Sequence, residues 1–465
     1  MIAAPPLHTF RDPSGSVELR TDAIYRTVHA PHDEELLSFL ATPLAATLVA
    51  QGRLVASEQI ETSPTVLRHP RIAFPSYPWE WSPAEWLAAA ELTLNLSLDL
   101  LAEGWILKDA TPLNVLFNGP DPIFVDVGSI ARLDTTQPIW FAYGQFIRTF
   151  LLPMLAYSRL GWPLSATIAR RDGYEPEDLY AALPWTARLR QPALSAVTLP
   201  QFLASKKSSA APIAPPKKKQ DDPELVQHIL RKTFTTLLGH MRRATPAPHA
   251  STWTGYTNAL THYEQQDRDA KLTFVAEALA QSSPTRVLDV GCNSGVFSNL
   301  AFEAGAEVVS IDTDQQTIDH LSITLRNSGK KILPLVVNLA HPTPAAGWRN
   351  QESRSFLDRT QGTFDTVMML AVIHHVLLRE QIPLDRIADL CAAITTRHLI
   401  LEWVPPTDEK FLELVRGRES IFAPITEAAF RTIFAQHFSI LREQTLQNGR
   451  ILFHFTKPEP SKLEA

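Results

Sequence analysis

The sequence predicts an α/β protein in its C-terminal half, with a parallel sheet closed by an antiparallel hairpin, and a separate α+β domain before it. Strand patterns alternate with helical segments between residues 286 and 403, which is typical of a parallel sheet. Asn448-Gly449 lies between two strand patterns, 438–445 and 450–456, and is a strong hairpin signal. A segment rich in Pro, Ala, Ser and Lys, 205–222, has no aromatic residue and predicts a linker.

These patterns predict two domains, because 465 residues exceed what one core usually organises. Residues 1–204 form the first, 205–222 the linker, and 223–462 the second. Asp222 and Pro223 have the residue types of a helix start, so the second domain is expected to begin with a helix.

Composition predicts a cytoplasmic protein without a membrane span. Two cysteines, Cys292 and Cys391, are too few for a disulfide framework or a zinc site. Met1–Phe10 lacks the pattern of a signal peptide, and the apolar run Leu92–Leu107 carries a polar stripe. The net charge of −6 argues against binding nucleic acid through bulk positive charge, although an acceptor the size of tRNA is not excluded.

The segment Val287–Gly295 reads V-L-D-V-G-C-N-S-G, a buried strand followed by a glycine turn, with a helix predicted after it. A dinucleotide fingerprint would need glycine at 293 and 296, and a phosphate loop would need lysine after Gly295. Neither is present. The loop suits a ligand that carries an amine, a carboxylate and a ribose but no phosphate.

Asp289-x-Gly291-x-x-x-Gly295 resembles motif I of the class I S-adenosyl-L-methionine (SAM) methyltransferases. The next strand, 307–311, ends at Asp312, where a carboxylate is placed to accept hydrogen bonds from both ribose hydroxyls. A third strand, 332–337, precedes Asn338, whose side-chain oxygen would meet the adenine amine. The resemblance implies a Rossmann-like fold and these SAM-binding residues: Asp289, Gly291, Cys292, Asn293, Gly295, Asp312, Thr313, Asn338 and Leu339.

The catalytic candidates lie at the carboxyl ends of the fourth and fifth strands, 364–371 and 397–403, because ligands bind at that end of the strands in such sheets. They are His374, His375 and Glu402. A base is needed only where the acceptor must lose a proton, and the histidines could instead cap the following loop. No metal site is predicted in this domain, since adjacent histidine side chains diverge.

The N-terminal domain contains L-K-D-A-T-P-L-N-V-L-F, 107–117, and a second strand that ends at Asp126-x-Gly128. This resembles the catalytic and metal-binding loops of the protein-kinase-like fold, and places Asp109 at the catalytic position and Asn114 and Asp126 at the metal positions. A glycine-rich loop is missing, and Lys108 is the first lysine of the chain, so Arg20 or Arg26 would have to meet ATP. A scaffold without phosphoryl transfer is favoured over two alternatives, a chance resemblance and a kinase that uses ATP and magnesium.

Longer segments, among them A-V-I-H-H-V and R-G-R-E-S-I-F, resemble a bacterial group of two-part class I methyltransferases, some of which are described as nodulation-associated. The resemblance implies the fold and the SAM cofactor but does not supply a substrate. The leading interpretation is a SAM-dependent methyltransferase acting on an unidentified small-molecule or carbohydrate-like acceptor, with a kinase-like scaffold or ligand-binding domain. Two alternatives stay open: a bifunctional kinase and methyltransferase, and a regulatory protein that binds SAM without turnover.

Overall fold

The structure is a computed structural model of the 465-residue chain, and it describes residues 11–206, 222–248 and 262–458. The chain divides into two compact units. The first comprises residues 1–247 and 347–352, and the second comprises 248–346 and 353–465. Most of the predicted linker, residues 207–221, lies outside the described residues. Within the described ranges, no helix combines the length and apolar character needed to cross a membrane.

The first unit opens with an antiparallel sheet of four strands in the order β1-β2-β4-β3. Two short antiparallel pairs follow, β5 with β8 and β6 with β7. The strands are β1 (Gly15–Leu19), β2 (Ile24–Val28), β3 (Glu58–Thr62), β4 (Thr65–His69), β5 (Trp105–Leu107), β6 (Val115–Asn118), β7 (Asp121–Phe124) and β8 (Ile130–Arg132).

The central helix of this unit is α3, which begins with a capping box. The Ser82 hydroxyl accepts from the Glu85 amide, and Glu85 accepts from the Ser82 amide. Most residues of α3 are buried. The helices are α1 (His32–Leu40), α2 (Pro43–Ala50), α3 (Pro83–Ala102), α4 (Tyr143–Phe146), α5 (Leu152–Leu160), α6 (Pro176–Ala182), α7 (Trp185–Arg188), α8 (Leu199–Lys206) and α9 (Pro223–Ala244).

Helix α9 starts as the sequence predicts, but it belongs to the first unit and not to the second. The Asp222 carboxylate accepts from the amides of residues 224 and 225 at 3.1 Å, which caps the helix. Its apolar face packs within the first unit, with the Phe234 ring 4.9 Å from that of Trp140. Arg242 bonds Glu91 of α3 at 2.8 Å. The amphipathic pattern of α9 predicts that one face of the helix is buried, but it does not identify which domain the face packs against. The domain boundary predicted at residue 223 therefore differs from the division observed at residue 247.

The second unit is built on one sheet of seven strands in the order β11-β10-β9-β12-β13-β15-β14. The first five are parallel, and β15 is antiparallel to both of its neighbours. The Asn448-Gly449 turn joins β14 to β15, and Gly449 has a φ of +82°. The strands are β9 (Arg286–Val290), β10 (Glu307–Asp312), β11 (Ile332–Val336), β12 (Phe364–Met369), β13 (Thr395–Trp403), β14 (Ser439–Thr445) and β15 (Ile451–Thr456).

Helices cover both faces of this sheet. Side chains of α10, α11 and α12 join strand residues in one buried apolar cluster, while Phe430 of α18 packs on Trp403 and Phe453 from the other face. The helices are α10 (His262–Ser282), α11 (Val296–Glu303), α12 (Gln315–Leu325), α13 (Phe356–Thr360), α14 (Ile373–Leu378), α15 (Leu384–Ile394), α16 (Glu409–Val415), α17 (Glu419–Phe422) and α18 (Glu427–Phe434).

Two buried histidines join β13 to β15. A ring nitrogen of His398 lies 3.2 Å from one of His454, and both side chains are buried. Burial lowers the pKa of His454 to about 4, and the pKa of His398 is lowered by burial and by Arg397. His398 and Arg442 also face His454, and Asp365 faces His398. Both rings are therefore uncharged at neutral pH.

We expect this pair to make the second unit sensitive to acid. In the unfolded chain a histidine binds a proton below pH ~6.5, whereas His454 resists protonation until about pH 4. The unfolded state is therefore favoured increasingly as the pH falls from ~6.5 to ~4. Thermal melting from pH 7.5 to 4.5 should show this fall in stability, and H398L/H454L should reduce it. In the control, His341→Gln at an exposed site, the fall should be unchanged; an unchanged fall in H398L/H454L would contradict the prediction.

Candidate functional site

The loop after β9 has a backbone conformation that depends on its two glycines. Gly291 and Gly295 have φ values of +71° and +76°, in the left-handed region that favours glycine. Both positions also lack room for a side chain. A Cβ at Gly291 would lie 2.5 Å from Cγ2 of Val372, and one at Gly295 would lie 2.7 Å from Cδ1 of Leu321. Because Gly291 has no side chain, the loop after β12 can pack against the loop after β9.

Backbone hydrogen bonds tie this loop to the end of β10. The amides of Gly291 and Cys292 donate to the Ile311 carbonyl at 2.8 and 3.1 Å. The Asn293 amide donates to Oδ2 of Asp312 at 3.0 Å, and the Asp314 amide donates to Oδ1 of the same carboxylate at 2.9 Å. Each oxygen keeps a second lone pair for a ligand hydroxyl. The predicted carboxylate is therefore beside the glycine loop.

Two predicted cofactor-binding side chains point into the protein interior. The Asp289 carboxylate accepts from the Ser298 hydroxyl at 2.6 Å and is almost fully buried, and burial raises its pKa to about 6. It fixes α11 against β9 from inside. The Cys292 side chain belongs to the apolar cluster, and burial raises the pKa of its thiol well above the ordinary value.

The other predicted cofactor-binding residues follow β10 and β11. Thr313 is exposed and adjacent to Asp312. The side-chain oxygen of Asn338 accepts from the Ala340 amide at 2.9 Å, which fixes its orientation and leaves it one lone pair. Leu339 is buried. All of these residues lie at the carboxyl ends of adjacent parallel strands.

These residues fit SAM. The carboxylate of Asp312 is beside a loop that cannot carry side chains at Gly291 and Gly295, and the first turn of α11 presents backbone amides there. No lysine or arginine lies between 291 and 298 to meet a phosphate.

His374 and His375 are the second and third residues of α14, two and three positions after the Val372 that packs against the glycine loop. Their ring centroids are 4.2 Å apart. Burial and the neighbouring positive groups lower the pKa of His374 to about 3, and burial, Arg379 and Arg450 lower that of His375. His374 is buried, and its Nδ1 has no hydrogen-bond partner among the residues that the structure describes, whereas His375 is partly exposed.

Glu402 lies in a buried network of ion pairs. Its carboxylate bonds Nζ of Lys271, and its Oε1 lies 3.3 Å from Nη1 of Arg450. Arg450 also bonds Asp408 through two nitrogens, at 2.8 and 3.3 Å. Burial alone would raise the pKa of Glu402, but Lys271 and Arg450 lower it below its ordinary value. The carboxylate therefore stays charged and paired.

Sequence reasoning missed Lys271, Asp408, Arg450 and Val372. Lys271 and Arg450 are 131 and 48 positions from Glu402, and no local pattern links residues that far apart. One signal was available: Arg450 follows the Asn448-Gly449 turn, so a hairpin placed beside the fifth strand brings it near the end of that strand.

In the first unit, the structure brings the predicted residues together. Asp109 follows β5, Asn114 precedes β6 and Asp126 follows β7. The Asn114 carbonyl accepts from the Val125 amide at 2.9 Å. Arg26 of β2 bonds Asp126 at 2.7 Å.

Comparison with known proteins gives three kinds of match. Residues 261–447 match the family model of a methyltransferase domain. The chain is 30% identical over 465 residues to nodulation protein NoeA of Rhizobium meliloti (strain 1021), covering 97% of this chain and 96% of that protein. Over 91 residues it is 28% identical to a ubiquinone biosynthesis O-methyltransferase of Aromatoleum aromaticum (strain DSM 19018 / LMG 30748 / EbN1), covering 20% of this chain and 33% of that protein.

Among solved structures, the chain is similar to N-methyltransferase NodS of Bradyrhizobium japonicum WM9 in complex with S-adenosyl-L-homocysteine. That match has 14% identity and a TM-score of 0.33, and covers 45% of this chain and 94% of NodS. The bifunctional kinase-methyltransferase WbdD matches with 19% identity and a TM-score of 0.31, covering 44% of this chain and 41% of that one.

The methyltransferase-domain match coincides with the glycine loop, Asp312 and the strand ends described above. The second unit is a class I methyltransferase domain, and its cofactor is SAM. Similarity along almost the whole length then decides the family: the chain is a SAM-dependent methyltransferase that belongs to the family of nodulation protein NoeA.

Proposed function

We propose that the chain transfers the methyl group of SAM to a hydroxyl of a small-molecule or carbohydrate-like acceptor, with His375 as the base. The observation that carries the proposal is the position of the histidine pair. Val372 seats the start of α14 against the glycine loop, so His375 lies beside the cofactor site and remains partly exposed. The electrostatic influence of Asp312 on the pKa of His375 also supports this placement.

The chemistry asks little of the protein beyond alignment and removal of one proton. Bound SAM supplies a methyl group on a sulfonium, which is open to direct displacement. Asp312 would accept hydrogen bonds from the ribose hydroxyls and hold the cofactor at the carboxyl ends of the strands. A ring nitrogen of His375 would take the hydroxyl proton, which its uncharged state at neutral pH permits.

We do not assign the role of base to the other two catalytic candidates, His374 and Glu402. His374 is buried and packs its ring against that of His375, so we assign it to positioning. Glu402 is held by two positive partners, and a carboxylate stabilised in its charged form is a poor proton acceptor. We assign it to the structure of the site.

We expect His375→Gln to reduce methyl transfer by at least about 100-fold, because general-base catalysis typically contributes 10²–10⁴-fold. SAM affinity should stay within about threefold of wild type, since the substitution removes a group that acts on the acceptor. The assay measures S-adenosylhomocysteine and labelled product with methyl-labelled SAM and cell extract. His374→Phe, which keeps a packed ring, is the matched variant and should lose much less turnover.

The acceptor class is tested in the same assay. Label in the polar small-molecule fraction, unchanged by prior nuclease and protease treatment of the extract, is the expected result. Label that disappears with nuclease or protease would overturn the acceptor class, and full turnover in His375→Gln would overturn the base.

We also propose that the first unit is a kinase-like scaffold or ligand-binding module. Its support is the four-stranded antiparallel sheet followed by a largely helical part, with Asp109, Asn114 and Asp126 close together between them. Titration of the full chain with candidate acceptors, compared with an Asp109→Ala variant, tests whether this unit contributes to binding.

A further inference from the structure

The first unit gathers three side chains of the kind that bind divalent cations. The Asn114 carbonyl accepts from the amide next to Asp126, which places these two residues side by side. Burial raises the pKa of Asp109, and the charge of Asp126 raises it further, which reflects two nearby carboxylates. Carboxylate and amide oxygens are the ligands that magnesium and manganese prefer. By chemistry alone, a cation site would be expected.

A fixed positive charge already lies at this position. Nη2 of Arg26 donates to Oδ1 of Asp126 at 2.7 Å, and the two side chains are only 12% and 26% exposed. Hydrogen bonds between charged partners are among the stronger ones, and limited exposure reduces screening by solvent. A divalent cation at Asp126 would have to displace the guanidinium or lie beside it.

Gly128 leaves the space that the guanidinium occupies. A Cβ at Gly128 would lie 2.7 Å from Nη1 of Arg26 and 3.4 Å from Oδ1 of Asp126. The backbone of Gly128 has no positive φ, so the missing side chain provides room and not conformational freedom. The Asp126-x-Gly128 segment is thus shaped around Arg26.

Asp109 is also engaged. Oε1 of Gln145 accepts from the Ala110 amide at 2.6 Å, and Nε2 of Gln145 lies 3.4 Å from Oδ1 of Asp109. Arg26 and Lys108 line one cavity with Asp12 and Ser14. The positive charge of Lys108 acts to lower the pKa of Asp109, and Arg26 bonds Asp126, so each carboxylate has a positive group nearby.

We infer that Arg26 takes the place of a divalent cation at Asp126, so that the first unit binds its ligand without magnesium. Phosphoryl transfer from a nucleotide depends on cations that bridge and neutralise the phosphates. This unit therefore does not carry out that reaction. The inference rests on the proposed ligand-binding role of the first unit and is independent of the proposed methyl transfer, because every residue in it belongs to the first unit.

The test is binding of Mn²⁺ to the full chain, followed by electron paramagnetic resonance of the free ion. Wild type should show no saturable site tighter than about 1 mM, whereas Arg26→Gln should gain one site at least about tenfold tighter, because a positive charge is removed and a carboxylate oxygen is released. R26Q/D126N should lose that site. Circular dichroism melting shows whether each variant is folded.

Gly128→Ala is an independent route to the same result. The atoms nearest to its Cβ are the far end of the Arg26 side chain and the Asp126 carboxylate, so we expect the guanidinium to move while the backbone stays. We expect Mn²⁺ binding that Asp126→Asn abolishes, and this variant decides the question if Arg26→Gln does not fold. One wild-type Mn²⁺ site lost in Asp126→Asn would overturn the inference, as would folded variants that gain no site.

Discussion

Asp312→Ala is expected to weaken SAM binding by at least about 100-fold. A hydrogen bond to a charged group contributes about 1.5–3 kcal/mol, and the two ribose hydroxyls would lose both of theirs. The substitution also releases the amides of Asn293 and Asp314, which the carboxylate holds at 3.0 and 2.9 Å. The glycine loop would then lose part of its support from β10. Isothermal titration of the full chain with SAM measures the change in Kd.

The same strand offers a matched control. Glu307 is the first residue of β10 and lies at the opposite end of the strand from Asp312. It is exposed, and its side chain pairs with that of Arg286 at 3.4 Å. Glu307→Ala should leave the Kd unchanged within about twofold, since its partner is at the surface and away from the loop. Asp312→Asn, which keeps one acceptor oxygen but no charge, should fall between alanine and wild type. Equal affinity in Asp312→Ala and wild type would remove Asp312 from the cofactor site.

Glu402→Ala is expected to destabilise the second unit by about 3–5 kcal/mol, because removing one member of a buried ion pair leaves its partners buried and uncompensated. Lys271 would lose its carboxylate and Arg450 one of two. The side chains of Lys271 and Arg450 are only 17% and 19% exposed, so water can replace little of what is lost. Urea denaturation, followed by a probe in the second unit, measures the free energy of unfolding.

Glu443→Ala is the control for this prediction. Glu443 pairs with Arg431 at 2.6 Å, but the side chain is 44% exposed, and such surface pairs contribute about 0–1 kcal/mol. A small effect for Glu443→Ala beside a large one for Glu402→Ala would establish that burial decides the difference. If Glu402 were instead the base, Glu402→Gln would abolish methyl transfer under conditions in which the variant is still folded and binds SAM with wild-type affinity.

Local patterns predicted the part of the site that local sequence specifies. The glycine loop and Asp312 could be found because a strand, a left-handed turn and a following strand are adjacent in the chain. The strand at 307–311 extends one residue further, through Asp312. The strand predicted at 364–371 instead stops at Met369, since Ala371 has a φ of +58° that no strand continues through.

What the sequence could not predict depends on long-range packing. The motif does not say which of its side chains face the ligand, and the carboxylate of Asp289 bonds Ser298 in the interior. Glu402 was recognisable as a polar residue at a strand end, but its partners come from α10 and from the turn just before β15. Arg26 was considered a substitute for a missing lysine; its carboxylate partner is 100 positions away and became evident only from the fold.

The contact between Val372 and Gly291 has a consequence for how this family can change during evolution. Val372 precedes the histidines that we propose face the acceptor, while Gly291 belongs to the loop beside Asp312, and the valine methyl occupies the space a Cβ on Gly291 would need. Substitutions at 371–375 that change acceptor binding would also shift Val372, which contacts the glycine loop at Gly291. If the histidines act on the acceptor as proposed, acceptor preference and cofactor affinity are coupled through this contact, and we expect divergent relatives to vary at 372 only together with compensating changes around 291.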